Sequence, residues 1–261
     1  MKIQASQPSL LESVSIAGQQ TNNTPSHLTS VDALYAYVTE QDLTPVFEEL
    51  AKENSRICLL DMSAEPGTVT EKFCEREGVE YYAHEILAGA EATGRLDGSF
   101  DVTLSRKTAA WNADPKAVIA EQLRVTHLGG YAVFTEFDWT HAGSVEETEL
   151  TAAAMATKAM MMRILTPLGF KPEYGVQLRS DIREVTETSG IACEQTEARY
   201  DLPAGDYRGI LLEEAEKLLD QLRQFRHPLT TELQSNIQHI RKASSFSFHL
   251  PALVTNVVHL T

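Results

Sequence analysis

A short apolar run that leads directly into turn residues constrains the fold of this chain most. Residues 56–62 read Arg-Ile-Cys-Leu-Leu-Asp-Met, which has the length and composition of a strand buried in a parallel sheet. Ser63 to Gly67 supplies turn chemistry. Thr68 to Glu77 then predicts a helix, and Gly78 suits its C-terminal stop. The segment therefore predicts a strand–turn–helix unit of an α/β protein.

The same alternation continues along the chain. Further strands are predicted at Val79–His84, Phe100–Ser105 and Tyr131–Phe137, with a helix at Pro115–Val125. Strands that alternate with helices indicate βαβ units. We therefore predict a doubly wound, mainly parallel, Rossmann-like sheet with helices on both faces, in which Ile57–Met62 is the central strand.

The flanking segments predict further elements. We expect two consecutive helices after a cap at Ser30, a mostly helical stretch from Trp139 to about Leu168, helices at 178–189 and 210–225, a strand at 191–200 and edge strands in the tail 244–260. We divide the chain into a polar N-terminal arm, residues 1–28, and one domain, residues 29–261. A helical insert is expected at about residues 140–170 of that domain.

The charge of the chain argues against several classes of partner. Among 261 residues there are 22 Lys and Arg against 37 Asp and Glu, a net charge of −15. Duplex binding needs positive charge to replace counterions, and anionic membranes repel an acidic surface. The net charge therefore argues against a nucleic acid or a membrane as the partner.

The sequence also bears on the compartment. It holds no run of ~18 apolar residues that would predict a membrane helix, and its N-terminus shows no secretory h-region. The three cysteines, Cys58, Cys74 and Cys193, are an odd number without a C-x-x-C pair. We expect a reduced, cytoplasmic protein without a disulfide framework.

Several motifs in the predicted order resemble class I S-adenosylmethionine (SAM)-dependent methyltransferases. Leu59 to Thr70 resembles their first motif, and Asp97 to Arg106 resembles their D-G-S-F-D-V-V-x-S segment. Ala120 to Tyr131 resembles the step into their fifth strand. Thr135–Trp139 and Tyr174–Arg179 resemble segments of the small-molecule, ubiquinone/menaquinone type. The resemblance implies SAM as the cofactor and a small apolar or natural-product-like acceptor.

The resemblance also implies where the cofactor binds. In doubly wound sheets the ligand lies beyond the carboxyl ends of the strands. An acid after the first strand helps to position the SAM ammonium or bonds the backbone of the turn, and an acid after the second strand accepts the ribose hydroxyls. The implied cofactor-binding residues are Asp61, Ser63, Glu65, Gly67, Glu85 and Arg106.

The acceptor pocket is expected beside that site. Trp111 and Trp139 are candidate walls, and the helix with Met155 and Met162 is a candidate flexible lid, although ordinary core packing would also explain its methionines. His141, next to Asp138, is the candidate general base, with a surface-loop histidine as the alternative. No metal site is expected, because neither H-E-x-x-H nor a close Cys/His cluster occurs.

The chain departs from the family in two respects. Ser63-Ala64-Glu65 replaces the glycine-rich G-C-G, and the carboxylate of Glu65 would face the carboxylate of SAM. The interval from Gly78 to Asp97 is also short, as if about one βα unit were missing.

Three hypotheses therefore stay open at this point. The chain is a SAM-dependent methyltransferase, a methyltransferase-fold catalyst of cyclisation or rearrangement, or a non-catalytic partner subunit in a homo- or hetero-oligomer.

Overall fold

A computed structural model describes residues 30–63, 67–84, 89–144, 149–201, 207–242 and 248–261. The side chains of Thr68, His141, Ser144, Glu149, Leu150 and Thr151 lie outside that description. The helices are α1 (Val31–Leu50), α2 (Thr68–Glu77), α3 (Pro115–Val125), α4 (Glu149–Leu165), α5 (Tyr174–Ser189), α6 (Arg208–Gln224) and α7 (Thr230–Lys242). The predicted N-terminal arm lies outside the described residues.

The strands are β1 (Cys58–Asp61), β2 (Glu80–Ala83), β3 (Phe100–Arg106), β4 (Thr126–Asp138), β5 (Gly143–Ser144), β6 (Cys193–Tyr200), β7 (Phe248–His249) and β8 (Ala252–Leu260). Six of them form one sheet in the order β2-β1-β3-β4-β8-β6. The pairs β2/β1, β1/β3 and β3/β4 are parallel, whereas β4/β8 and β8/β6 are antiparallel. The expected Rossmann-like fold with a largely parallel sheet is confirmed.

Strand β1 lies inside the sheet, but it is the second strand from the edge and not the central strand that the sequence predicts. It pairs with β2 on one side and with β3 on the other, with Leu59 opposite Tyr81 and Val102. Leu59 and Leu60 point to opposite faces of the sheet and both are fully buried. Burial on both faces explains why the run lacks the alternation of a half-exposed strand.

The sheet is reduced on the side of β2. Strand β2 is the last strand in the sheet order, and the described residues 89–99 before β3 form only turns. The expected loss of about one βα unit is confirmed for these residues. Consequently the carboxyl ends of β1 and β3 lie close to one edge of the sheet.

The C-terminal tail takes an interior position, which corrects the expectation of edge strands. Strand β8 runs antiparallel between β4 and β6, with Val257 opposite Val133 and Thr196. Nearly every residue of β8 is buried. A β-branched strand with so few exposed positions needs a neighbour on each side and a packed layer on each face. The tail therefore completes the core of the sheet.

The helical layers differ from the prediction at two places. The two helices expected after Ser30 are one continuous helix, α1, with Pro45 inside it, and the Ser30 hydroxyl caps it at 3.2 Å from the Ala33 amide. Helix α7 was not predicted. Its buried residues Leu233, Ile237 and Ile240 have the spacing of a helix face, but only three apolar positions carry that signal.

The helices cover both faces of the sheet. Helices α1 and α2 pack on one face through the cluster that includes Phe47 and Phe73, and α3 and α5 pack on the other around Phe134. Helices α4, α6 and α7 pack on one another and extend that second layer. The N-terminal half of α1 brings polar side chains to the carboxyl ends of β3 and β4.

Candidate functional site

Asp61 ends β1 as a fully buried carboxylate that is satisfied within the protein. Its Oδ1 accepts the Ser63 amide at 2.9 Å, and its Oδ2 accepts the Tyr81 hydroxyl at 3.1 Å. Ser63 is also buried, and its Oγ accepts the Arg106 amide at 3.1 Å. These bonds fix the start of the turn after β1 against the end of β3. Gly67 then caps α2 without a side-chain hydrogen bond.

Arg106 ends β3 with a buried guanidinium group that joins three elements. Its Nη2 donates to Thr39 Oγ1 on α1 at 2.6 Å, and its Nη1 donates to Thr70 Oγ1 in the first turn of α2 at 2.9 Å. The guanidinium carbon lies 5.7 Å from the centre of the Tyr35 ring. The Nε atom is buried without a hydrogen-bond partner. Arg106 thus connects both helices to the carboxyl edge of the sheet.

Asp42 on α1 lies beside this group and was missed by the sequence analysis. Its carboxylate accepts hydrogen bonds from the hydroxyls of Tyr200 and Thr255, the latter at 2.9 Å. Burial raises the pKa of Asp42 to about 6, although its two donors and Arg106 oppose that rise. Its position inside the helix gave only a weak signal, an acid between the apolar residues Val38 and Leu43.

Glu136, near the end of β4, is a third buried carboxylate. Its Oε1 accepts the amides of Ala109 at 2.8 Å and Ala110 at 3.3 Å, whereas its Oε2 is buried without a partner. Desolvation raises the pKa of Glu136 to about 7, against the backbone donors and Lys107. A carboxyl group whose pKa lies near neutrality is able to exchange a proton at physiological pH.

Lys107 follows β3 in the left-handed region, with φ of +53°. That conformation is uncommon for a residue with a side chain and is found preferentially at functional sites. The Nζ atom lies 3.8 Å from Glu214 on α6 and 5.3 Å from the centre of the Tyr35 ring. Burial raises the pKa of Tyr35 to about 12, and Lys107 opposes this rise. No sequence motif marks Lys107, Tyr35 and Glu214 as neighbours.

An enclosed apolar cavity adjoins this group at the end of β4. Phe137 and Trp139 form one wall, Leu34 of α1 and Phe248 close it, and Glu214 contributes the charged side chain. Its volume is about 20 Å³, which is room for roughly one water molecule. An organic acceptor would therefore need α1, α6 or the segment before β8 to move.

Helices α1 and α2 also enclose an open surface groove of about 500 Å³. Its walls include Ala36 and Glu40 from α1 and Val69 and Phe73 from α2. Val69 precedes Thr70, and Ala36 lies one turn before Thr39 on the outer side of α1. The groove thus runs along the two helices whose threonine hydroxyls hold Arg106.

The structure brings some of the expected pocket residues together and separates others. Trp139 lines the cavity, but Trp111 is 39% exposed and packs on Phe170, with 4.7 Å between ring centres. Met155 is 40% exposed, and Met162 is half-buried against the core between the helices. Neither methionine contributes to the cavity wall.

Asp138 is fully buried, and its carboxylate accepts hydrogen bonds within the protein. Its Oδ2 accepts Arg199 Nη1 at 2.9 Å, and its Oδ1 accepts the Thr140 amide at 3.0 Å. The side chain of His141 lies outside the description, as do Glu65 and Glu85. The roles expected for these three residues stay predictions.

The described residues contain neither a membrane-spanning helix nor a metal-binding cluster. None of their helices is long and apolar enough to cross a membrane. No group of three or more His, Cys, Asp or Glu side chains within the described ranges is arranged to hold a metal ion.

A family model matches part of the chain. Residues 43–134, from α1 to β4, match the family model described as a methyltransferase domain. The resemblance to class I SAM-dependent methyltransferases is thereby confirmed, and the likeness to the ubiquinone/menaquinone type stays a prediction. No curated protein matches the sequence significantly.

Solved structures with a similar fold include the three described next, each with its sequence identity, the share of each chain that is covered and the TM-score. YcgJ from Bacillus subtilis is 14% identical over 84% of this chain and 98% of its own, with a TM-score of 0.44. The [4+2]-cyclase SpnF is 14% identical over 86% and 80%, with a TM-score of 0.44. Phosphoethanolamine N-methyltransferase 2 from Haemonchus contortus is 13% identical over 88% and 57%, with a TM-score of 0.44.

Proposed function

Because residues 43–134 match the family model of a methyltransferase domain, we propose that this protein transfers a methyl group from SAM to a small acceptor. The proposal rests on the position of the buried polar groups at the carboxyl ends of the strands. Arg106, Lys107 and Glu136 lie at or next to the carboxyl ends of β3 and β4, inside or just beyond the matched segment. In open α/β sheets, ligands bind at that edge.

The residues present fit the cofactor at one decisive point. SAM carries an α-carboxylate, and Arg106 offers a buried cation whose Nε has no partner. Asp61 and Ser63 hold the turn after β1, and Gly67 leaves the first amides of α2 uncapped by a side chain. Glu85 stays the acid proposed to accept the ribose hydroxyls, and Glu65 stays a proposed residue of the turn whose carboxylate would face that of SAM. When bound, SAM supplies an electrophilic methyl group on its sulfonium.

The acceptor is proposed to be small and largely apolar. Phe137 and Trp139 supply aromatic surface, and Glu214 places a carboxylate at the cavity wall. A carboxylate there could accept the proton that an acceptor hydroxyl or amine releases as it is methylated. His141 with Asp138 stays the proposed general base from the sequence, and Trp111, Met155 and Met162 stay proposed pocket residues once the cavity opens.

Two observations favour a second candidate function. The cavity holds about 20 Å³, and the turn after β1 carries Ser63 where the family has glycine. A protein with so small a cavity and without the glycine in this turn would no longer transfer methyl groups. It would then catalyse cyclisation or rearrangement of an apolar molecule, or serve as a non-catalytic subunit in a homo- or hetero-oligomer.

Calorimetric titration with SAM separates the two proposals. We expect saturable binding with a Kd in the micromolar to millimolar range, and no binding of ATP, which shares only the adenosine part. Trp139→Ala should leave SAM affinity within about twofold, because Trp139 is assigned to the acceptor. The absence of SAM binding at millimolar concentration would contradict the methyltransferase and leave the second candidate. Sedimentation analysis of the same sample would show whether a complex forms.

A further inference from the structure

The open groove between α1 and α2 has no role in the proposed reaction. It has a volume of about 500 Å³ and follows residues 32–40 of α1, which is a length of about 12 Å at the rise of an α-helix. Since one water molecule takes about 30 Å³ of the liquid, the groove has room for several side chains of another segment.

The walls of the groove are apolar at the bottom. They include Ala33 and Ala36 of α1 and Val69 and Phe73 of α2. Phe73 is buried, whereas Ala36 is exposed and has only a methyl group to offer, so the two helices leave a gap at this level. Further along α1 the gap is closed by Phe47, whose ring centre lies 5.6 Å from that of Phe73.

The charged side chains of the groove balance one another. Asp32 and Glu40 of α1 are matched by Lys72 and Arg76 of α2. Arg76 pairs with Glu40 at 3.3 Å, and its guanidinium carbon lies 4.9 Å from the centre of the Phe73 ring. The groove therefore has no net charge, although the whole chain carries −15. Such a surface does not attract a strongly charged partner, but it does not repel a neutral apolar segment.

The N-terminal arm, residues 1–28, has a composition that suits this groove. It contains one Lys and one Glu and thus has no net charge, in an otherwise acidic chain. Its residues 10–16 read Leu-Leu-Glu-Ser-Val-Ser-Ile, which places four large apolar side chains close together. A stretch of this length measures about 10 Å as a helix and about 23 Å when extended. It is therefore long enough to cover most or all of the groove in either conformation.

The arm joins the described part of the chain at the groove itself. Asp32 and Ala33 belong both to the first turn of α1 and to the groove wall. About fifteen residues separate Ile16 from Asp32, which gives a reach of up to roughly 50 Å. A tether of this length gives an effective concentration of about a millimolar, so that even a weak contact is populated.

We propose that residues 10–16 of the N-terminal arm bind in the groove between α1 and α2 of the same chain. The bound segment contacts both helices and holds them together on the outer side of Thr39 and Thr70, whose hydroxyls accept from Arg106. This contact requires neither SAM nor an acceptor, so it is tested on the protein alone.

Chemical labelling of the full-length chain tests whether the arm covers the groove. Ala36→Cys places a thiol at an exposed position of the groove wall, and Ala152→Cys places one at an exposed position of α4 outside it. Leu11→Glu is then added to each variant to put a charge into the apolar segment. The reaction of a maleimide at position 36 should become about tenfold faster, as expected if the arm otherwise covers the groove about nine-tenths of the time. The reaction at position 152 should not change.

Glu12→Gln is the matched control within the arm. It alters a polar residue of the segment and keeps all four apolar side chains, so it should leave the labelling rates at both positions unchanged. Mass spectrometry of the labelled peptides separates these thiols from those of Cys58, Cys74 and Cys193. Circular dichroism shows whether each variant is folded.

Disulfide formation shows which chain supplies the arm. Under mild oxidation, Val14→Cys combined with Ala36→Cys should form a disulfide within one chain, whereas Val14→Cys combined with Ala152→Cys should not. A non-reducing gel separates a disulfide within one chain from a covalent dimer.

Three results would overturn the proposal. The first is a labelling rate at position 36 that Leu11→Glu leaves unchanged. The second is a disulfide yield with Ala36→Cys that is no higher than with Ala152→Cys. The third is a covalent dimer in place of the disulfide within one chain, which would assign the groove to the arm of a second copy.

Discussion

Asp42 Oδ2 on α1 accepts a hydrogen bond from Thr255 Oγ1 on β8 at 2.9 Å, across 213 residues of sequence. The Tyr200 hydroxyl on β6 donates to the other oxygen of the same carboxylate. One buried acid therefore connects the first described helix to two strands of the C-terminal half. Since α1 also holds Arg106 through Thr39, this contact helps to fix the helix that borders the proposed cofactor site.

We predict that Asp42→Asn makes the stability of the protein less dependent on pH. Burial raises the pKa of Asp42 from 3.8 to about 6, so the folded state binds this proton more tightly than the unfolded state. The contribution of this group to stability is therefore greatest below about pH 4, falls as the pH rises to about 6 and then stays level. The change corresponds to roughly 3 kcal/mol.

Urea unfolding at several pH values between about 4.5 and 8 measures the effect. The asparagine variant should lose less stability over this range than the wild type. Glu48→Gln on the exposed side of the same helix serves as the control and should follow the wild-type curve. Parallel curves for Asp42→Asn and the wild type would contradict a raised pKa at this site.

Glu136→Gln should behave in the same direction over a higher pH range. The pKa of Glu136 is raised from 4.5 to about 7, so its protonated form is favoured in the folded protein and stability is lost as the pH rises from about 4.5 to 7. Glutamine keeps an oxygen for the amides of Ala109 and Ala110 but buries an NH₂ group where Oε2 has no partner. Between about pH 4.5 and 7, the variant should therefore lose less unfolding free energy than the wild type, by up to about 3 kcal/mol. This difference in pH dependence is expected even if the substitution changes the stability at low pH.

Thermal unfolding of Glu136→Gln at about pH 5.5 and 8 measures this difference. Glu187→Gln, at an exposed position of α5, is the matched substitution and should leave the difference unchanged. A Glu136→Gln variant that loses as much stability as the wild type between the two pH values would show that Glu136 stays ionised throughout.

The sequence predicts the local parts of this fold well. Strand β1 and helix α2 follow from the apolar run and from Gly78, which closes α2 with φ of +71°. These elements are determined by residues next to one another. The place of β1 in the sheet was predicted less well, because β4, β8 and β6 all lie on its β3 side and leave β1 second from the edge. The position of β8 was predicted wrongly because pairing with β4 and β6 depends on residues far apart in sequence.

The polar groups near the proposed site were harder to predict for the same reason. Asp42 meets Tyr200 across 158 residues, and Arg106 meets Thr39 across 67. A motif marks Arg106 because it follows a recognisable strand, but nothing local indicates that hydroxyls alone hold its charge. Lys107 takes a left-handed conformation without the glycine or asparagine that usually marks one.

Gly130→Ala should destabilise the protein more than Gly78→Ala does. A Cβ atom at Gly130 would lie 2.5 Å from the Asp101 carbonyl oxygen and 2.9 Å from that of His127, both backbone atoms that cannot rotate away. This contact lies where β3 and β4 shift register. We expect a loss of about 1–3 kcal/mol or more for Gly130→Ala.

Gly78 provides the comparison because its surroundings are open. A Cβ atom there meets nothing within 4 Å, so only the positive φ opposes alanine, at about 1 kcal/mol. Urea unfolding midpoints of both variants measure the difference. Equal losses would mean that the backbone at Asp101 yields easily to a methyl group.

Glu65→Gly should tighten SAM binding by at least about tenfold. Position 65 stands where the family has a glycine, and a carboxylate beside the ligand carboxylate repels it by a few kcal/mol at ~4 Å with an effective dielectric near 20. Restored conformational freedom adds roughly 1 kcal/mol if the turn needs a positive φ. Ser63 is best left unchanged, because its Oγ accepts the Arg106 amide and its own amide donates to Asp61.

The variant Glu65→Gln separates the two contributions, since it removes the charge and keeps the Cβ atom. SAM affinity is measured by calorimetry for the wild type and both variants. The Glu65→Gly protein should bind SAM most tightly, the Glu65→Gln protein less tightly and the wild type most weakly. A glutamine variant that matches the wild type would show that Glu65 points away from the ligand carboxylate. If all three proteins bind SAM equally at micromolar concentration, the turn after β1 accepts SAM without glycine. If none of them binds it, the short connection between β2 and β3 becomes the reason for the lost site, since that is where the fold lacks a βα unit.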